Sequence, residues 1–180
     1  MIEVDLHQDL GRAKNAIQDF LIRKLLLPKI YLDSEWSGHR VDVLAVDRTG
    51  VGDLHVVELT SARPHFVAPA GGHELTMVSE TKEIDGILER LKSIPGHFRY
   101  MAAVVPGSRS TNYYAGNKLL QAALAEDGVG RVGVLFVDLN GGEPSVKSIV
   151  KPERFRSAPE ILKAADEFTA SHTANWEVRE

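Results

Sequence analysis

Two acidic residues interrupt neighbouring apolar segments of this chain, and they restrict its possible folds more than any other feature. Asp42 lies within residues 40–46 and Glu58 within residues 55–60, and both segments are rich in Val and Leu. Such runs, bounded by turn residues, are typical of strands buried on both faces of a sheet. An unpaired carboxylate inside a buried strand is costly, so it usually has a charged partner or a metal ion. The two segments therefore predict a sheet that carries an acidic site.

A metal ion is one way to satisfy these acids. Two carboxylates that converge on one sheet can hold a hard divalent cation such as Mg²⁺ or Mn²⁺, and the backbone carbonyl of Leu59 would add a third oxygen. Such a cation polarises a phosphodiester and lowers the pKa of a bound water. The strand register decides whether Asp42 and Glu58 meet, and the sequence leaves it open. The alternative is a pair of polar residues on a solvated sheet face, or a pair neutralised by Arg40.

Composition narrows the class of protein. A chain of 180 residues fits one domain over residues 1–180, with residues 171–180 as a frayed tail. No apolar run approaches the roughly 18 residues that cross a bilayer, and the acidic start lacks the order of a signal peptide. The chain has no cysteine, which fits a reducing cytoplasm, so we expect a cytoplasmic protein without membrane contact. A net charge of −4 argues against a general nucleic-acid coat protein.

Hydrophobic periodicity predicts an alternation of helices and strands. Three strands follow the first helix, and later strands alternate with helices, which gives an α/β fold with a central mixed β-sheet and helices on both faces. Beside the two acidic strands, the predicted helices cover residues 6–27, 74–94, 112–126 and 158–169, and the predicted strands cover residues 29–36, 100–105 and 132–139.

The chain resembles the PD-(D/E)XK nuclease superfamily in residues 38–47, in the Gly-containing turn after them and in residues 56–60. Residues 17–21 of the helix ahead of them also resemble the first core helix of that restriction-endonuclease-like fold. The resemblance implies that Asp42 and Glu58 are the metal ligands of the motif. It also shows two departures. Thr60 stands where the family has Lys, and Lys14 and Asn15 stand at the level where the first helix often offers a Glu.

Some members of the superfamily supply the missing Lys from the following helix, and Lys82 is the best-placed candidate here. The alternative for Lys82 is an ordinary surface lysine paired with neighbouring carboxylates. The resemblance implies a Mg²⁺-dependent nuclease that acts on nucleic acid, with DNA as the expected substrate and a homodimer as a possible assembly. Two alternatives stay open. In the first, the chain is a nuclease-like domain without catalysis that binds nucleic acid or assembles with protein. In the second, the resemblance of the short motif is accidental.

Overall fold

Three helices and eight strands form the part of the chain that the structure describes. The structure is a computed structural model, and it describes residues 3–47, 53–60, 66–67, 76–77, 81–105, 131–139, 142–155 and 159–171. In chain order the elements are α1 (Glu3–Lys24), β1 (Lys29–Trp36), β2 (His39–Val46), β3 (Leu54–Thr60), β4 (Phe66–Val67), β5 (Thr76–Met77), α2 (Thr81–Ser93), β6 (Phe98–Val105), β7 (Gly133–Asp138), β8 (Ser145–Val150) and α3 (Pro159–Ser171).

The large sheet has six strands in the order β1-β2-β3-β6-β7-β8. Neighbouring strands are antiparallel in the pairs β1–β2, β2–β3 and β7–β8, and parallel in the pairs β3–β6 and β6–β7. Strands β4 and β5 form a separate two-stranded antiparallel sheet. This arrangement confirms the predicted α/β fold with a central mixed sheet.

Helices pack on both faces of the large sheet. On one face, Ile17 of α1 belongs to a buried cluster that contains Val43 and Val57. On the other face, Leu44 and Val56 belong to a second cluster, to which α2 and α3 contribute. Because successive residues of a strand point to opposite faces, β2 and β3 need apolar residues at nearly every position. This requirement explains their continuous apolar runs and makes the acids among them exceptional.

Helix α1 ends earlier than its apolar pattern predicts. The prediction extended the helix to Leu27 because Pro28 follows, but α1 ends at Lys24. The carbonyl of Leu21 accepts hydrogen bonds from the N–H groups of both Leu25 and Leu27. Between them, Leu26 takes a left-handed backbone conformation with φ 55° and leaves its side chain 76% exposed. A left-handed residue is a common end of a helix, although glycine usually occupies it.

Two further predictions need correction, and one remains open. The helix predicted for residues 74–94 is wrong in its first part, since Thr76–Met77 forms β5 and α2 begins at Thr81. The sequence analysis also missed β8, whose residues are exposed or half-buried at the edge of the sheet and so carry no apolar run. The helix predicted for residues 112–126 lies outside the described residues.

The last helix agrees with its prediction within two residues at each end. It covers Pro159–Ser171, and the predicted tail beyond it lies outside the described residues. Among the helices that are described, none combines the length and the apolar character that crossing a membrane requires.

Candidate functional site

The register of β2 and β3 brings the two predicted acids together. Val43 pairs with Val57 and Leu44 with Val56, so Asp42 and Glu58 each lie one residue beyond the Val43–Val57 pair on neighbouring strands. The contacts of Asp42 come from α1 and those of Glu58 from α2, which pack on opposite faces of the sheet. The negative charge of Asp42 also acts on the pKa of Glu58. The two carboxylates therefore form one electrostatic site.

The Asp42 carboxylate is fixed by its neighbours on both oxygens. Its Oδ2 accepts a hydrogen bond of 2.9 Å from the backbone N–H of Leu59. Its Oδ1 lies 3.0 Å from Nζ of Lys14. This hydrogen bond places Asp42 beside Leu59, the residue that follows Glu58, at one end of the β2–β3 pair.

Lys14 reaches this site from α1 and contacts a third acid. Its Nζ lies 2.5 Å from Oδ1 of Asp33, on β1, in addition to its contact with Asp42. Burial opposes the charge of Lys14, but hydrogen bonds to Asp33 and Asp42 and their negative charges outweigh it, so the pKa of Lys14 is raised. Asp33 has a left-handed backbone with φ 50° inside a strand. Asp and Asn tolerate this conformation better than other non-glycine residues.

Glu58 is buried and only partly neutralised. Its Oε2 lies 3.0 Å from Nε of Arg90 on α2, and Arg90 also donates a hydrogen bond to the carbonyl of Arg40. Its Oε1 is buried and has no hydrogen-bond partner. Burial and the charge of Asp42 raise the pKa of Glu58 to about 7, although Arg90 and the backbone of Asp42 act in the opposite direction. A carboxyl of this kind exchanges its proton close to neutral pH.

These groups fit a hydrated divalent cation. The described residues contain no cluster of three His, Asp or Glu side chains arranged around a metal position. Asp42, Glu58 and the Leu59 carbonyl are therefore the candidate ligands, and the other positions would be filled by water, as Mg²⁺ prefers. The buried oxygen of Glu58 without a partner favours a cation, because an unsatisfied buried acceptor is costly.

Three residues named from the sequence, Lys82, Thr60 and Arg40, have different outcomes in the structure. For Lys82 and Thr60 the structure gives a place in α2 and β3, but their side chains lie outside the described part of the chain. The alternative of a pair neutralised by arginine named Arg40, whereas the guanidinium at Glu58 belongs to Arg90.

Three residues of the site were missed by the sequence analysis. Lys14 was noted only as the absence of an acidic ligand, although a charged residue next to the apolar stripe of α1 is a signal of its own. Asp33, five residues before the motif, and Arg90, thirty residues after it, are charged residues without a distinctive local pattern.

A groove elsewhere on the molecule does not contain these residues. It has a volume of about 630 Å³ and lies between α1 and the segment that leads into β8, with Arg12, Phe20, Arg23 and Glu143 among its lining residues. Neither Asp42 nor Glu58 is among the residues that line it.

Comparison with known proteins gives a fold and no family. No model of a protein family matches this chain, and no curated protein matches it. Among solved structures, the chain is similar to the SPO1766 protein of unknown function from Silicibacter pomeroyi, with a TM-score of 0.52 and 14% identity, covering 90% of this chain and 84% of that one. A second similarity, to Pyrococcus furiosus SfsA in complex with Ca²⁺, has a TM-score of 0.33 and 15% identity and covers 79% and 64% of the two chains. The first similarity shows a shared fold alone.

Proposed function

We propose that this protein is a divalent-metal-dependent phosphodiesterase, specifically a nuclease that acts on DNA. The observation that carries the proposal is the buried Oε1 of Glu58, which lacks a hydrogen-bond partner at the same site as the carboxylate of Asp42. Two acids on neighbouring strands with a spare oxygen are the kind of ligand set that hard cations occupy. The proposed ligands are Asp42, Glu58 and the carbonyl of Leu59, with Mg²⁺ or Mn²⁺ as the ion.

Each residue would have a distinct part in the reaction. A bound divalent cation supplies Lewis-acid activation of a phosphate and of a water nucleophile. Asp42 is held in one orientation by the N–H of Leu59. Glu58 gives up its proton near neutral pH and then offers a full negative charge. Thr60 stands where the motif has Lys, and Lys14 brings an ammonium group to the site instead. Lys82 remains a second candidate to supply this positive charge.

Metal binding and cleavage should be measured on the same variants. We expect wild-type protein to bind Mn²⁺, followed by electron paramagnetic resonance, and to cleave plasmid DNA or oligonucleotides in Mg²⁺ or Mn²⁺. Asp42→Asn and Glu58→Gln should lose both properties. Glu89→Gln is the matched control, because Glu89 is an exposed acid of α2 that pairs with Lys92. A wild type that binds no divalent cation and leaves plasmid DNA, single-stranded DNA and RNA intact would refute the proposal.

A second function is favoured by the two cations at the site. Lys14 and Arg90 already pair with Asp42 and Glu58, so the acids also serve to join α1 and α2 to the sheet. In a domain without catalysis, this network would be structural, and the protein would bind nucleic acid or assemble with a partner. Asp42→Asn would then lower the melting temperature equally with and without Mn²⁺, and wild-type protein would still retain a labelled oligonucleotide or form a dimer in sedimentation experiments.

A further inference from the structure

One ammonium group bridges two carboxylates at the proposed metal site. Nζ of Lys14 lies 2.5 Å from Oδ1 of Asp33 and 3.0 Å from Oδ1 of Asp42. Both distances are those of direct ion pairs, and an ammonium has three donors with which to make them. The Lys14 side chain is only 14% exposed, so its charge depends on these partners more than on water. Lys14 thus already occupies one oxygen of a proposed metal ligand.

From this arrangement we infer that Lys14 is an internal cation that competes with the divalent metal for Asp42, and that Asp33 is its alternative anchor. The inference rests on the proposed function. A divalent ion on Asp42 would repel an ammonium that contacts the same carboxylate. Metal binding is therefore an exchange, in which Lys14 leaves Asp42 and keeps Asp33. Without Asp33, the displaced ammonium would be buried with no counter-charge, which is strongly unfavourable.

The positions of the two acids support different roles for them. Asp42 belongs to the strand pair that carries Glu58 and the Leu59 carbonyl, and it is hydrogen-bonded to Leu59. Asp33 lies one strand further out, on the edge strand β1, and it contacts Lys14 at the site. Asp33 is also the more exposed acid of the two, with 46% of its side chain accessible against 27% for Asp42. Asp33 is therefore a positioning residue for Lys14 and not a metal ligand.

The competition predicts opposite effects of two substitutions on the Mn²⁺ dissociation constant, measured by calorimetry and electron paramagnetic resonance. Lys14→Met keeps the apolar stem but removes the charge, so it should tighten Mn²⁺ binding about tenfold. Asp33→Asn keeps a residue that tolerates a left-handed backbone, and it should weaken binding about three- to tenfold. In the double variant, Asp33→Asn should have no further effect, because Asp33 acts only through Lys14. Lys163→Met is the control for net charge, since Lys163 is an exposed lysine of α3.

The outcomes separate this inference from the proposed function. Wild-type protein that binds Mn²⁺ as tightly as Lys14→Met overturns the inference and leaves the function intact. If Asp33→Asn weakens Mn²⁺ binding equally in the wild type and in Lys14→Met, then Asp33 is a metal ligand and its role as an anchor is overturned. Binding by Lys14→Met but not by wild type supports the inference and refutes the function of the natural chain. No binding by either overturns both. If Lys14→Met fails to fold, Lys14→Gln provides the same comparison.

Discussion

The buried Glu58 should contribute a loss of stability as the pH rises toward neutrality. Its pKa is about 7 in the folded protein, against an ordinary value of 4.5, so the folded state favours the protonated acid. The unfolded chain releases the proton near its ordinary pKa, whereas the folded chain retains it up to about pH 7. Stability is therefore lost as the pH rises between these two values, and the loss is complete above the higher one.

Replacement of Glu58 by Gln measures this cost directly. The difference between a pKa of 4.5 and one of about 7 corresponds to about 3 kcal/mol of stability. Glu58 is only 6% exposed, so solvent screens little of it. Glutamine has a similar shape and keeps an oxygen for Arg90, but it has no charge to bury. Glu58→Gln should therefore exceed the wild type by less than about 1 kcal/mol at pH 5 and by about 2–3 kcal/mol at pH 8.

Urea unfolding between pH 5 and pH 8 tests this expectation, with the free energy of unfolding determined for both proteins at each pH. Glu89→Gln removes an acid of 74% side-chain exposure from α2 and should show no comparable dependence on pH. A stability difference that stays constant with pH, or a Glu58→Gln protein that is less stable at pH 8, would mean that the Arg90 ion pair outweighs burial. The reasoning about Glu58 would then be wrong.

Three further predictions concern stability away from the acids. Leu26→Gly should raise the free energy of unfolding in urea by about 0.5–1 kcal/mol, because glycine accepts the left-handed backbone at φ 55° and the exposed leucine buries little; a loss would refute this. Burial lowers the pKa of His55 to about 4, so the contribution of His55 to stability should fall by about 3 kcal/mol as the pH decreases from 6.5 to 4. His55→Phe should remove this contribution to the pH dependence of the free energy of unfolding. Gly133→Ala should cost about 1–3 kcal/mol, because its Cβ would lie 2.8 Å from the Tyr100 ring, whereas Gly142→Ala, with open space around it, should be neutral in thermal melts.

The sequence was most informative where burial on both faces constrains every residue. The two acidic strands, β2 and β3, agree with their predicted bounds within one residue at the start and match them at the end, since a buried strand must be apolar nearly throughout. The edge strand β8 was missed because one solvated side allows Ser and Lys among its apolar residues. Similarly, the apolar spacing of residues 74–94 is also compatible with a short strand before a helix, and Thr76–Met77 is such a strand.

The acidic residues of the site could be predicted from the sequence, but its basic residues could not. Asp42 and Glu58 stand out because a charged residue in a buried strand breaks the local pattern. Their register, and the approach of Lys14 and Arg90 from helices on opposite faces, depend on packing between segments distant in the sequence. The family resemblance predicts an acidic ligand at this level of α1, where the sequence has Lys14 and Asn15. The structure shows that Lys14 contributes a charge instead.

The energetic balance at Glu58 bears on the choice between a structural ion pair and the proposed metal site. Asp33, Asp42 and Glu58 face two cations, Lys14 and Arg90, so the site carries one net negative charge when all five are ionised. A purely structural network gains nothing from that excess, since a neutral or apolar residue at position 58 would avoid the burial cost. Residues that reduce stability yet stay in a core are typical of sites where binding compensates for the cost. The proposed cation would supply the compensation that the site lacks, and on that proposal we expect Mn²⁺ to stabilise the wild type more at pH 8 than at pH 5.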